Sequence, residues 1–488
     1  MAIYSFSNVS AMVKSALLSS GDVAITLGYY TVNDGGEGEY AIVSSTKPAD
    51  GGSVIQLTSG LKAELMIQNS QVNVKQFGAK GDGVTDDREA INNSITYVNA
   101  NSKIYTLSFP KATYRHGSGT NNKVLQYTIT RNNLCIEGNG SEIKCANNNG
   151  EGVPKGGGIF KIMNSSSVIF RNFTLDGNIA NRTFTSGGSG DTSNLYITNS
   201  SNVIVENVIS NNSQMDGICL LSSYRGADAT NNLMTDISIR NCITNGGRRM
   251  GISVIGVNNV TISQCKLINT GIQKKISPAS GIDIEAQGAS YQANRNVLID
   301  DCYFDNNVGA NDTGGSDLIV SRYSYGVIIS RCSIHSLRFA YICSDILVRD
   351  CLISNGQIRA IMEANQKGTT EVVKNINIQN CSILNSDVFV HPAFSDLTTA
   401  DVLFYNYLVA GCMIEGGTIR AVCSNFFRNT VKNVVIDAPN SSVSGSAIDC
   451  YLGVIKDNIF FNDTKTMQYI RTYKASFEGN TLTGYTTW

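Results

Sequence analysis

Two acidic residues of the chain have a spacing that suits sugar chemistry. Asp283 and Glu285 stand two residues apart in the segment SPASGIDIEA. On a β-strand both side chains would project from one face, about 6.5–7 Å apart. Glycoside hydrolysis uses two carboxyl groups, roughly 5–5.5 Å apart for retention and 6.5–9.5 Å apart for inversion. The pair therefore predicts a hydrolytic site that favours inversion, with Asp216 in QMDGICL as a third catalytic candidate. The competing interpretation is that these acids merely solvate an exposed face.

Basic and aromatic residues near these acids could bind a substrate. Arg248 and Arg249 precede a related segment, GISVIG, and guanidinium groups bind a sugar carboxylate in a bidentate way. Further substrate-binding candidates are Asp317, Tyr224, Tyr291, Arg322 and Glu363. No C-x-x-C pair or acidic cluster has the ligand spacing of a zinc or calcium site, so we expect no metal and no cofactor.

The elements that must position these residues share one pattern. Each of the three segments has a glycine followed by alternating apolar residues, which is typical of a strand with one buried face. Aligned on that glycine, the inward positions hold first Ile218, Ile252 and Ile282, and then Leu220, Val254 and Ile284. The residues between them face outward, which places Asp283 and Glu285 on the outer face.

A repeat runs through most of the chain, in the order apolar, any, apolar, two polar, small or Cys, any, apolar. One copy is Val297-Ile299-Cys302-Phe304. Units of roughly 20–35 residues with short strands and no helix predict a parallel β-solenoid. Seven cysteines occupy one position of this repeat: Cys242, Cys265, Cys302, Cys332, Cys351, Cys381 and Cys412. We expect free, buried thiols there, and asparagines at left-handed turns that bond along the axis.

The spacing between copies varies, which indicates loops inserted into some coils. The insertions fall at Ala180–Asn194, Ser222–Thr235, Gln273–Ser280, Ala286–Arg295 and Asn306–Ser316. Loops that lengthen over adjacent coils build the walls of a groove, and binding and catalysis concentrate on such loops. The acid pair and the two adjacent arginines share these coils, which favours a site over mere solvation.

The composition excludes several classes of function. With 38 Lys+Arg against 39 Asp+Glu, the formal net charge is -1 and no basic excess exists for nucleic acid. No apolar run approaches the roughly 20 residues of a membrane span, so no membrane insertion is expected. Residues 1–24 lack the features of a secretory signal, so we expect synthesis in a host cytoplasm.

The repeat does not reach either end of the chain unchanged. The expected divisions are 1–70, a small module; 71–105, a strand and helical cap; 106–425, the solenoid with groove-forming insertions; and 426–488, a C-terminal β region that forms the last coils or secures a trimer.

Within the first two divisions, local patterns predict particular elements. The module should contain a helix over 7–19 and strands over 22–30 and 38–44. The cap helix should start at Thr85-Asp86-Asp87 and bury one apolar stripe, because an open solenoid end exposes its core.

Two segments near the start of the chain are recognisable. Residues 77–92 read FGAKGDGVTDDREAIN, and residues 21–43 read GDVAITLGYYTVNDGGEGEYAIV. The first resembles the opening of the pectate-lyase-like right-handed β-helix superfamily, particularly bacteriophage tailspikes. The second resembles the N-terminal module of phage tail proteins. Two pectin-active signatures of the superfamily are missing, since no histidine lies in a Gly-His-Gly element and the one tryptophan is Trp488.

This resemblance implies an all-β, right-handed parallel β-helix. It also implies a homotrimeric virion appendage that binds, and often cleaves, a bacterial surface polysaccharide outside the cell. The N-terminal module would then join the phage tail or baseplate.

The leading hypothesis is a tailspike that depolymerises a capsule, O-antigen or exopolysaccharide by endo-glycoside hydrolysis. One alternative is a polysaccharide lyase that uses Arg or Tyr as a base on a uronic acid. Another is an adhesin that binds glycan without cleaving it. A bacterial cell-wall glycan epimerase or hydrolase unrelated to phage is disfavoured by the tail-like N-terminal segment.

Overall fold

The computed structural model describes most of the chain, in two compact units. The described residues are 1–117, 126–147, 158–182, 192–223, 234–286, 293–311, 316–362, 373–392, 406–421, 424–434, 447–451, 454–463, 468–473 and 476–487. One unit comprises Met1–Ile218 and the other Cys219–Trp488. Among the described residues, no helix is long and apolar enough to cross a membrane.

A five-stranded sheet opens the first unit. Its elements are β1 Ile3–Phe6, α1 Val9–Val13, β2 Val23–Thr26, β3 Gly38–Val43, β4 Val54–Gln56 and β5 Lys62–Leu65, with strand order β1-β2-β3-β5-β4. The predicted turn before β3 is held by Asp34, whose carboxylate accepts N–H bonds from Tyr29, Tyr30, Thr31 and Gly36. The helix is shorter than predicted, because it begins after its Asn8 cap and ends at Val13.

The rest of the first unit is a stack of parallel strands. Its elements are β6 Gln71–Asn73, β7 Asp82–Asp86, α2 Arg88–Ala100, β8 Thr106–Ser108, β9 Thr113–His116, β10 Tyr127–Ile129, β11 Leu134–Cys145, β12 Phe160–Met163, β13 Ser166–Asp176, β14 Leu195–Thr198 and β15 Ser201–Asn211, with 3-10 turns at Val74–Phe77 and Ile179–Asn181. Strands β11, β13 and β15 pair in register, with Leu134, Val168 and Val203 at one shared position.

Helix α2 caps the start of this stack, as the sequence predicts. Its buried face carries Ile91, Ile95 and Val98. Beside this face, the Asn99 side chain donates a hydrogen bond to the Thr128 carbonyl of β10 at 2.9 Å. The helix therefore covers apolar side chains that the first coil would otherwise expose.

The start of α2 differs from the prediction. Thr85 lies in β7, and its hydroxyl donates to Asp82 at 2.7 Å instead of capping the helix. Asp87 precedes the helix, and its carboxylate accepts N–H bonds from Lys80 at 2.6 Å and Arg115 at 3.2 Å. The acidic end of the FGAKGDGVTDD motif thus ties the glycine-rich loop to the next coil.

The second unit consists of coils throughout its described length. Strand β16, Asp216–Leu221, contains the boundary between the units. The strands that follow are β17 Met234–Arg240, β18 Ile243–Asn245, β19 Met250–Ile255, β20 Val257–Ser263, β21 Lys266–Ile268, β22 Ser280–Ile284, β23 Asn294–Asp300, β24 Tyr303–Asp305, β25 Leu318–Ser321, β26 Ser324–Ser330, β27 Ser333–Ala340, β28 Cys343–Arg349, β29 Leu352–Met362, β30 Val373–Gln379, β31 Ser382–Leu384, β32 Asp387–Pro392, β33 Tyr407–Ala410, β34 Met413–Glu415, β35 Ile419–Ala421, β36 Ser424–Phe427, β37 Thr430–Lys432, β38 Ala447–Tyr451, β39 Val454–Lys456, β40 Ile459–Phe461, β41 Gln468–Tyr473, β42 Ser476–Glu478, β43 Thr481–Thr483 and β44 Tyr485–Thr487, with a 3-10 turn at Val308–Asn311.

Parallel strands stack in rows along this unit. The row that carries the acid pair, here called the site row, passes through β19, β22, β25, β27, β29 and β32. One inward position of this row holds Ile252, Ile282, Leu318, Leu337 and Ile358, all 0% exposed. The fold is a right-handed parallel β-helix, and the predicted inward residues are confirmed.

The cysteine position forms a buried ladder, as predicted. The seven thiols are free and at most 2% exposed. Each bonds locally: the sulfur of Cys265 donates to the Ser263 carbonyl at 3.2 Å. Contact with the Cys242 sulfur, together with burial, raises the pKa of the Cys265 thiol. Because all seven side chains are shielded from solvent, they act as small apolar residues of the core.

Asparagines shape the turns, also as predicted. Asn269 and Asn306 adopt left-handed backbone angles, with φ of 58° and 53°. Their side chains continue along the axis, since Asn306 donates to Asn269 at 2.7 Å and Asn269 donates to Asn245 at 2.9 Å. Each amide thus stabilises the turn on the neighbouring coil.

Toward the C-terminal end, asparagine replaces cysteine in the buried ladder. The backbone N–H of Cys412 donates to the side-chain oxygen of Asn429 at 2.9 Å. In the same way, the backbone N–H of Asn429 donates to the side-chain oxygen of Asn458 at 2.8 Å, and that of Asn458 donates to the side-chain oxygen of Asn480 at 2.9 Å. The coil of Asn429 went unrecognised in the sequence, because it follows the previous copy after an unusually short step. Parallel pairing continues to β44, so residues 426–487 include further coils of the same fold.

We predict that Asn458→Ala destabilises the protein. Asn458 is 1% exposed. Its side-chain oxygen accepts the backbone N–H of Asn429, and its side-chain nitrogen donates to the Phe426 carbonyl. Truncation leaves these buried groups without a partner, at about 1–3 kcal/mol each. Chemical denaturation should show that loss in the free energy of unfolding. The control is Asn377→Ala, at a half-exposed outward position, which should stay within about 0.5 kcal/mol of wild type. Equal effects of the two substitutions would contradict the ladder.

Candidate functional site

The outward positions of the site row form a second ladder. In register across successive coils they are Ser253, Asp283, Ile319, Arg338, Arg359 and Phe389, here called the outward ladder. Parallel pairing places neighbouring members about 4.8 Å apart. Acidic, apolar and basic side chains therefore follow one another along a single line.

Asp283 lies at an outward position but is shielded from solvent. It is 5% exposed, and its ladder neighbours Ser253 and Ile319 are 3% and 7% exposed. Ile255, two residues after Ser253 on β19, is 8% exposed. Asp283 therefore does not merely solvate an exposed face, because it lies in a sheltered position between Ser253 and Ile319.

Glu285 follows the end of β22 and forms an ion pair with Arg322. Its side chain is 30% exposed and that of Arg322 is 44% exposed. The Arg322 guanidinium also lies over the Tyr341 ring, 5.3 Å from the ring centre. Backbone hydrogen bonds hold both partners in place. The N–H of Glu285 donates to the Val254 carbonyl at 3.1 Å, and the N–H of Ala286 donates to the Arg322 carbonyl at 3.0 Å.

The two predicted carboxyl groups thus have different surroundings. Asp283 lies within β22, whereas Glu285 comes directly after its last residue, Ile284. Asp283 is enclosed, whereas Glu285 faces solvent and has a cation beside it. Acid–base chemistry with two carboxyl groups uses residues in such different surroundings.

Asp216 opens strand β16 in the first unit. It is 0% exposed, and its carbonyl accepts an N–H bond from Asn194 at 3.2 Å. Its role as a third carboxylate of the site stays a prediction.

The two predicted arginines hold the loop that leads into β22. The Arg248 side chain donates to the Lys274 carbonyl at 2.8 Å, and its own carbonyl accepts an N–H bond from Ile276 at 2.9 Å. Burial lowers the pKa of Arg248. Arg249 is half-buried, and its carbonyl accepts the N–H of Ser280 at 3.1 Å. Both residues therefore position the strand that carries Asp283, and their contact with a sugar stays a prediction.

Asp317 is enclosed by hydrogen-bond donors. Its carboxylate is fully buried and accepts bonds from the Asn307 side chain at 2.8 Å and the His335 N–H at 2.9 Å. The Nδ1 atom of His335 lies 3.2 Å from the same carboxylate. A carboxylate so occupied orients His335 and is not open to a sugar, which corrects the expectation for Asp317.

Three of the predicted contacts lie outside the described residues: Tyr224, Tyr291 and Glu363. Most of each predicted groove insertion at 180–194, 222–235 and 286–295 also lies there, whereas residues 273–280, 306–311 and 316 are described. Among the described residues, no group of three or more His, Cys, Asp or Glu side chains could hold a metal ion.

Sequence reasoning missed the two arginines of the outward ladder. Arg338 and Arg359 pair in register on adjacent coils, and both are half-buried. Burial, and then the charge of Arg338, lower the pKa of Arg359. The signal was available, because each arginine stands between two inward apolar residues, in Leu337-Arg338-Phe339 and in Ile358-Arg359-Ala360.

Two family models match the chain. One is described as rhamnogalacturonase A/epimerase, pectate lyase-like, and covers residues 71–278. The other is the right-handed beta helix region and covers residues 229–405. Over these segments the chain is similar to pectate-lyase-like and right-handed β-helix proteins. The matched segments include the cap motif, the strand of Asp283 and both arginines of the outward ladder.

Similar proteins come from bacteria and from phage. This β-helix protein is 25% identical over 456 residues to the uncharacterized protein YclG of Bacillus subtilis. The aligned region covers 84% of this chain and 74% of that protein. It is 28% identical over 247 residues to the pre-neck appendage protein of Bacillus phage B103, which covers 46% of this chain but only 26% of that protein.

Among solved structures, the pre-mature gene product 12 of bacteriophage phi29 matches with a TM-score of 0.50 and 17% identity. The match covers 84% of this chain and 56% of that chain. At this identity the likeness concerns the fold alone.

We predict a pH dependence of stability from the His335–Asp317 pair. The hydrogen bond with Asp317 raises the pKa of His335 above its ordinary value of 6.5. The protonated ring therefore stabilises the folded protein fully below about pH 6.5. This stabilisation disappears as the pH rises through the higher folded-state pKa. His335→Asn should lower the melting temperature more at pH 5.5 than at pH 8.5. A loss that is equal at both pH values would contradict a charged pair.

Proposed function

We propose that this protein binds and depolymerises a bacterial surface polysaccharide by endo-glycoside hydrolysis. One observation supports the proposal: two carboxyl groups lie two residues apart on the chain, one sheltered and one paired with a cation. The family models that match the chain are consistent with a carbohydrate substrate. A capsule, an O-antigen or an exopolysaccharide would each satisfy the proposal.

In the proposed mechanism, Asp283 is the general acid. Its sheltered position suits a carboxyl group that holds a proton and donates it to the leaving glycosidic oxygen. Glu285, with Arg322 beside it, acts as the base that takes a proton from the attacking water. The new bond joins this water oxygen to the anomeric carbon as the glycosidic bond breaks. The two-residue separation, about 6.5–7 Å for extended backbone, supports inversion, and Asp216 remains a proposed third carboxylate.

We further propose that the protein is a homotrimeric appendage of a phage tail. The partial match to a phage pre-neck appendage protein supports this setting. The N-terminal sheet over residues 3–65 would then join the tail or baseplate, and the β-helix would meet the polysaccharide outside the cell.

We predict that Asp283→Asn and Glu285→Gln each abolish most of the cleavage. Loss of a general acid or base lowers kcat about 10²–10⁴-fold. The measurement is release of reducing ends from a panel of purified capsular, O-antigen and exopolysaccharides. The matched control is Glu415→Gln, which breaks a comparable ion pair with Lys432 on another strand row and should keep full activity.

Circular dichroism and the melting temperature establish that the variants are folded. Full activity in both site variants would overturn the assignment of these carboxylates. Binding of a polysaccharide that is never shortened by the wild type would make the protein an adhesin instead.

A second reaction is favoured by the arginines of the outward ladder. Two arginines in register on neighbouring strands, about 4.8 Å apart at the backbone and on the same ladder as Asp283, suit a polymer that carries carboxylates. A lyase on such a uronic acid neutralises the carboxylate, removes the proton at C5 and expels the C4 oxygen. The product then has a new C4–C5 double bond.

We predict that Arg359→Gln raises the KM for a uronic-acid polymer about tenfold, since a charge-assisted contact contributes about 1.5–3 kcal/mol. An unsaturated product that absorbs in the ultraviolet identifies the lyase, and a saturated product identifies the hydrolase. An unchanged KM in Arg359→Gln, beside an active wild type, would show that the ladder arginines do not bind the polymer.

A further inference from the structure

A second groove lies on a different strand row of the second unit. It crosses β30, β33 and β36, which pair in register, and encloses about 570 Å³. Its lining consists of Asn377, Gln379, Asn380, Asn406, Leu408, Ala410, Gly411, Asn425, Phe427 and Arg428. These residues belong to neither the outward ladder nor the Glu285–Arg322 pair.

The groove exists because the middle coil has a small side chain at one position where its neighbours have large ones. Ala410 pairs with Gln379 on the preceding coil and with Phe427 on the next. The space beside the following residue, Gly411, is taken by the Asn380 side chain. The flanking side chains are therefore two coil spacings apart, about 9.6 Å, across a nearly empty ladder position. A flat ring the thickness of one missing side chain fits between them.

The chemistry of this slot is that of a sugar site. Phe427 supplies one half-exposed aromatic wall, and apolar faces of pyranose rings stack on such walls. Amide side chains at Gln379, Asn377 and Asn425 supply both donors and acceptors for hydroxyl groups. Arg428 is exposed and forms no ion pair with any residue that the structure describes.

These amides differ from the asparagines of the turns. Asn306 and Asn269 use their side chains along the axis to stabilise neighbouring coils. Within the described residues, the side chains of Asn377, Gln379 and Asn425 make no such bond, although they lie on stacked strands. Their hydrogen-bonding capacity thus faces the slot instead of serving the fold.

We propose that this slot is a second glycan site that binds a pyranose unit without cleaving it. The ring occupies the position left empty by Ala410, with its apolar face on Phe427 and its hydroxyl groups on the amides. Arg428 receives an acidic substituent where the sugar has one. The lining has no carboxyl group, so the slot lacks an acid or base for hydrolysis.

This site deepens the proposed function but does not depend on the catalytic pair. It would hold a polymer on the β-helix through contacts separate from Asp283 and Glu285. Two sites on one polymer raise the effective concentration of the chain segment at the second site. Binding at the slot and cleavage at the site row can therefore be lost independently.

The test fills the slot. Ala410→Phe restores a large side chain at the empty ladder position, and Phe427→Ala removes the stacking wall. The matched control is Ser263→Phe, at the equivalent outward position of the same row several coils away. Isothermal titration with maltohexaose, cellohexaose and hexagalacturonate, in wild type and in the inactive Glu285→Gln variant, reports binding without degradation.

We expect at least one of these probes to bind wild type and Glu285→Gln alike. Ala410→Phe and Phe427→Ala should each weaken that binding at least tenfold, and Ser263→Phe should leave it unchanged. If hexagalacturonate binds, Arg428→Gln should weaken it selectively.

Three results would overturn the proposal. These are equal binding in Ala410→Phe and wild type, no binding of any probe at millimolar concentration, and a change of oligomeric state in Ala410→Phe and Phe427→Ala. The last result would assign the groove to a second copy of the chain. Loss of cleavage in Glu285→Gln with retained slot binding separates this site from the catalytic proposal.

Discussion

The structure depends on one constraint, which is that equivalent positions of successive coils lie directly above one another. Parallel hydrogen bonding sets a spacing of about 4.8 Å, so each residue meets its equivalent on both neighbouring coils. Apolar residues gain from this arrangement at every inward position, and the row through Ile282, Leu318 and Leu337 is completely buried. Polar residues must bond along the axis or face outward, and charged residues meet whatever charge the next coil carries. Core and surface therefore obey the same stacking rule.

The candidate sites arise where this rule is locally broken. On the outward ladder, an acid, an aliphatic residue and two arginines replace the like-on-like stacking of the core. Beside it, Glu285 and Arg322 meet from consecutive coils and balance each other. In the second groove the departure is one of size, because Ala410 leaves a gap between the larger Gln379 and Phe427. A regular scaffold makes each such departure a distinct chemical feature at a defined distance from the others.

Much of the fold was predictable from the sequence, because the same pattern of apolar, polar and small residues recurs in coil after coil. The cysteine position, the inward aliphatic positions and the cap helix follow from patterns that recur or that match a known opening. The surroundings of the site residues were harder to predict, because a side chain at an outward position of a strand can be either buried or exposed. Alternation places Asp283 outward, but only the folded chain reveals that Ser253, Asp283 and Ile319 are sheltered together. The burial of Asp317 under Asn307 and His335 depends on turn geometry that no strand pattern encodes. Arg338 and Arg359 were visible in the alternation, yet their importance comes from being neighbours in register.

The change from cysteine to asparagine in the buried ladder has a consequence for how such a chain can vary in length. A cysteine coil offers its neighbours a small apolar side chain that any other cysteine coil also offers. Whole coils could be duplicated or lost within that segment without altering the contacts at the junctions. From Asn429 onward each amide receives a backbone N–H from the coil before and donates in a fixed direction. Coils in the asparagine segment are therefore not interchangeable, and this segment has a defined number of coils. The cysteine segment can vary in its number of coils.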